Sequence, residues 1–75
     1  MYKMLGYYRA AKTLYPGKAK IIQIGEKSFA VFIIHDQAGV VHYSKVDSFE
    51  QARKTIFDFS PVGYHGRRIL WGRVE

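Results

Sequence analysis

The chain has 75 residues, no cysteine and a formal net charge of +6. That length fits a single small domain over residues 1–75 with a thin stability margin. The lack of cysteine excludes a disulfide scaffold or thiolate metal site and favours a reducing compartment, the cytoplasm. No run approaches the ~18 apolar residues of a transmembrane helix, and no signal-peptide apolar stretch lies near Met1.

Charge is spread unevenly. Residues 1–25 carry Lys3, Arg9, Lys12, Lys18 and Lys20 and no acid, residues 26–60 are near balance, and residues 61–75 carry Arg67, Arg68 and Arg73 against Glu75. Basic ends around a neutral centre suit phosphates, a membrane surface or an acidic protein surface.

Met4, Tyr7, Tyr8, Ala11, Leu14 and Tyr15 recur at helical spacing, and Pro16-Gly17 follows as a break. The spacing predicts a helix near 3–15. A strand from Tyr2 to Arg9, an interfacial membrane helix and a cleaved presequence are the competing readings. Lys18–Ile24 reads as a strand (18–24), with Gly25-Glu26-Lys27 as a tight turn. Ser28–His35 (28–35) is dense in β-branched and aromatic residues, which suit a pleated, packed surface. Both parities of this segment are apolar, so a central strand covered on both faces is expected. A face covered in that way is no open platform for nucleic acid.

Asp36-Gln-Ala-Gly39 reads as a four-residue hairpin turn, and Val40–Ser44 (40–44) as the return strand. That loop sets His35 opposite Val40 and Ile33 opposite His42. A helix over 47–59 follows, with Phe49, Ala52, Ile56 and Phe59 on one face. Ser48 with Gln51, or Asp47 with Glu50, fits a capping box. Glu50 and Lys54 fit an i,i+4 pair, and Ser60-Pro61 ends the helix. Gly63 and Gly66 bracket a turn, and 67–74 alternates basic, apolar and small residues as a fourth strand. The fold expected is α+β: a small antiparallel sheet of three to four strands with one or two helices.

Catalytic sets are missing. No two acids share an expected face, the serines lack a nucleophile-elbow setting, and no phosphate-binding glycine loop is present. His35, Asp36 and His42 come near each other but fall short of the four ligands of a structural zinc site. The reading is a non-enzymatic binding protein with no cofactor and no metal.

The order helix, three strands, helix is similar to double-stranded-RNA-binding domains, and three strands followed by a helix resembles the arm-binding domains of tyrosine recombinases. Both likenesses are of element order, without a motif. The basic cluster that opens the last helix in the RNA-binding family is replaced here by Val46-Asp-Ser-Phe-Glu50. The leading expectation is DNA or RNA held by phosphate contacts and aromatic stacking. Its candidate residues are Lys18, Lys20, Tyr64, Arg67, Arg68, Trp71 and Arg73. The rival expectation is a protein-interaction module, such as a small phage- or plasmid-type regulator or inhibitor. Tyr64, Arg67, Arg68 and Trp71 would then be its anchors. A homodimer burying the second sheet face is a variant of that reading.

Overall fold

A computed structural model of the chain describes residues 2–10, 15–59 and 69–74. Five antiparallel strands and one helix follow in the order β1 (Lys3–Ala10), β2 (Gly17–Gly25), β3 (Ser28–His35), β4 (Gly39–Val46), α1 (Phe49–Phe57) and β5 (Trp71–Arg73). They form one sheet in the order β4-β3-β2-β1-β5. Thus β2, β3 and β4 are a meander, β1 adds beside β2, and β5 pairs with β1 at the far edge.

This corrects the expected α+β arrangement of three to four strands with an N-terminal helix. Among the described residues α1 is the one helix, and the segment expected near 3–15 forms strand β1 over Lys3–Ala10. The helical stripe splits between the two sheet faces. Tyr8 is buried in the core, whereas Met4 lies on the opposite face and is exposed. Aromatic residues favour a pleated surface, and Gly6 costs about 1 kcal/mol in a helix interior relative to alanine. A neighbouring strand with free hydrogen-bonding groups decides the matter. With β1 a strand, the element order no longer matches that of the double-stranded-RNA-binding domains.

The β3–β4 connection is tighter than a four-residue turn. His35 pairs with Gly39, Ile34 with Val40 and Ile33 with His42, leaving Val41 as a bulge. Gly39 has φ +83°, a left-handed conformation that closes the loop. His35 Nδ1 accepts from the backbone N–H groups of Gln37 (3.1 Å) and Ala38 (3.2 Å), which orders the turn. That bonding fixes the ring as a turn cap.

The core lies between α1 and one face of the sheet. Ile21, Val31, Ile33 and Ile56 are its largest fully buried side chains, joined by Tyr8, Ala19, Phe29, Ala52, Ile69 and Trp71. Phe49 and Phe59 pack on it from the ends of the helix segment, as their spacing predicts. Ser48 is the N-cap: its Oγ accepts from Gln51 N at 3.1 Å. Of the two capping alternatives, the N-cap is Ser48 and not Asp47. The helix stops at Phe57 with Asp58 as C-cap. Lys54 pairs with Asp58 at 4.0 Å, rather than with Glu50. Ser60-Pro61, the expected stop signal, lies outside the described residues.

Candidate functional site: the open face of the sheet

Strand residues alternate in direction, so every second residue points away from α1. Pairing places Tyr7, Lys20, Phe32 and Tyr43 in one row across β1, β2, β3 and β4. Val74 extends the row beyond β1, since its N–H donates to Tyr7 O at 2.8 Å. A second row holds Gly72, Arg9, Lys18, Ile34 and Val40. A third, on the other side of the aromatic row, holds Met4, Ile22, Ala30 and Lys45.

Among the described residues no element packs against this face, although the apolar pattern of β3 led to the expectation of cover on both sides. Phe32 and Ile34 on this face are half-buried. Tyr43 is 54% exposed. Its ring meets Phe32 at 5.0 Å between centroids with a 53° tilt. Lys20 Nζ sits 5.8 Å from the centre of the Tyr7 ring, within range of a cation–π contact.

The electrostatics of the face are one-sided. None of β1, β2, β3, β4 or β5 contains an aspartate or glutamate. The acids of the described residues lie in turns, at Glu26, Asp36 and Asp47, or in and just after α1, at Glu50 and Asp58. Arg9 reaches Asp36 at 4.0 Å, a pair exposed enough to be worth little. Lys18, Lys20 and Lys45 form no ion pair among the described residues. The face thus offers aromatic rings in line, with cations on both flanks.

The residues expected to form a site divide into groups. Lys18 and Lys20 lie on the open face. Trp71 is buried on the opposite side of the sheet, with its ring 6.4 Å from that of Tyr15. Arg73 pairs with Tyr8 and points to the helix side of the edge, where its guanidinium donates to Leu5 O at 3.5 Å. Tyr64, Arg67 and Arg68 lie outside the described residues. Phe32 and Lys45 were not among the expected site residues, and Tyr7 and Tyr43 stood out only as tyrosines interleaved with basic residues. Phe32 opposite Tyr43 follows from Ile33 opposite His42, one step along the ladder, so that pair was open to sequence reasoning. Tyr7 beside Lys20 needed β1 to be read as a strand.

The histidines do not converge on a metal. His35 caps its turn, and His42 points to the helix side with its ring 5.9 Å from Phe59. No group of three or more His, Cys, Asp or Glu side chains able to hold an ion is found among the described residues. No helix among them is long and apolar enough to cross a membrane. Comparison with protein families, with curated proteins and with solved structures finds no match for this chain.

Proposed function

We propose that this chain is a small nucleic-acid-binding domain that holds DNA or RNA on the open face of its sheet. The observation that carries the reading is the segregation of charge. Lys18, Lys20 and Lys45 share that face with Tyr7, Phe32 and Tyr43, and no strand contributes a carboxylate. Phosphate binding needs such unpaired cations, and stacking needs such rings. The site differs from a patch built of basic termini. The termini enter as auxiliaries, with Arg67 and Arg68 the arginines that an experiment should include. The reading involves no catalysis and no cofactor, and the cytoplasm is its proposed setting.

The test is fluorescence anisotropy of labelled DNA and RNA oligonucleotides against the full chain at ~50 and ~200 mM salt, a range over which several phosphate contacts cost orders of magnitude in affinity. Binding should weaken steeply with salt. Replacing Lys18 and Lys20 together with alanine should flatten the log–log salt slope by roughly 1.5. An Arg67→Ala, Arg68→Ala double variant measures the share of the C-terminal arginines. Absence of binding at the lower salt would sink the reading. Exposed Met4 and Val40 would then make the same face a protein contact, with a second copy or an acidic partner as the occupant to seek.

A further inference from the structure

A basic, aromatic sheet face could meet a duplex or an unpaired strand, and the two demand different surfaces. A duplex keeps its base faces stacked inside and presents phosphates and groove edges. Its major groove admits a helix or a two-stranded ribbon. The open face here is a sheet five strands wide. The helix is no better suited, because its segment sets Glu50 and Asp58 beside Arg53 and Lys54. Only an unpaired strand offers base faces to a row of rings.

The row itself has the right form for that. Tyr7, Lys20, Phe32 and Tyr43 stand side by side across four strands. Adjacent strands are ~4.8 Å apart, so the row spans ~14 Å, the reach of about two or three splayed bases. Tyr43 is 54% exposed and leans on Phe32, which gives one ring platform at the β4 side. Tyr7 gives a second at the β1 side, with Lys20 between the two. Arg9 and Lys18 flank the row on one side and Lys45 on the other, where a backbone crossing the strands would carry its phosphates.

We infer that the ligand of this face is single-stranded nucleic acid, laid across the strands with one base on the Phe32–Tyr43 pair and another against Tyr7. The inference rests on the nucleic-acid reading above and narrows it to unpaired strands. Because every base has a π-face, binding is tolerant of sequence.

The experiment compares a labelled single-stranded oligonucleotide, as DNA and as RNA, with a mixed-sequence duplex of the same length. The proteins are the full chain and its Tyr43→Ala, Tyr43→Phe and Lys20→Ala variants. Thermal melts confirm that each is folded. The single strand should bind more tightly than the duplex. Tyr43→Ala should weaken single-strand binding at least about fivefold with an unchanged salt slope, since a lost stack releases no counterion. Tyr43→Phe should bind like the parent. Lys20→Ala should lower the slope by about 0.7. A duplex bound as tightly as the single strand, or a Tyr43→Ala variant that binds like the parent, overturns this inference while the broader reading stands. If no nucleic acid binds at low salt, both fall.

Discussion

A methyl group on Gly17 would lie 2.5 Å from Tyr15 Cε2 and 2.8 Å from the carbonyl oxygen of Ile34. The ring of Tyr15 therefore lies flush against the start of β2, and β3 closes the space from the other side. Neither neighbour is free to move. Tyr15 is buried, with its ring near those of His35 (5.5 Å) and Phe59 (6.0 Å), and Ile34 is held in the ladder by its pairing with Lys18. Gly17→Ala should cost about 1–3 kcal/mol, the usual range for overpacking a well-filled core, read from urea denaturation. A variant as stable as the parent would mean that Tyr15 is not seated there. Pro16-Gly17 reads in the sequence as punctuation, a place where a helix stops. Its structural role is instead steric: the glycine makes room for a ring.

At the scale of elements, the helix is the part whose local chemistry decides most. Its buried contribution is short, Ala52 and Ile56 flanked by Phe49 and Phe59, so its start must be well defined. Ser48 defines it by satisfying the Gln51 N–H. Ser48→Ala should destabilise the domain by about 1 kcal/mol. Asp47→Ala, one residue earlier, should change stability by less than about 0.5 kcal/mol, as surface substitutions usually do. Denaturant midpoints of the two variants decide between the caps, and the reverse order would place the cap at Asp47. The meander was legible because β3 and β4 have strong β composition and a turn signal between them. The strand β1 was less so. Its tyrosines fit two periods, and the choice between them depends on a partner strand that no local window contains. The open face was hidden for a related reason. Phe32 and Ile34 look like core residues in a one-dimensional pattern, yet they stand on the face opposite α1, Phe32 between Lys20 and Tyr43 and Ile34 between Lys18 and Val40.

Over the whole molecule the sheet separates two chemically distinct faces. One face carries the apolar core under α1, and the other carries cations and rings with no carboxylate in any strand. Substitutions that probe binding can therefore be placed on the second face without touching the core. Lys18→Ala and Lys20→Ala should alter salt dependence while leaving denaturation midpoints within about 0.5 kcal/mol of the parent. Arg9, Lys18 and Lys20, spread along the basic N-terminal third of the sequence, share one surface only because β1 joins the meander through β2. Lys18 and Lys20 thereby stand between Arg9 and Tyr7 on one side and the β3 residues on the other. Nothing in the order of residues along the chain announces that arrangement.

The pairing of Tyr8 with Arg73 joins segments near opposite ends of the sequence, whereas β2, β3 and β4 are joined by short turns. Those two kinds of contact differ in the entropy lost when they close, and so in when they form. The meander should therefore nucleate first, and β5 should dock late on a sheet already assembled. Trp71, the indole buried at that edge, is then a reporter of the last event in folding. Trp71→Phe should speed unfolding and leave the folding rate nearly unchanged, whereas Ile33→Val should slow folding. Stopped-flow chevrons for the two variants would read this directly, and a slowed folding limb for Trp71→Phe would place closure of β1 on β5 in the nucleus instead.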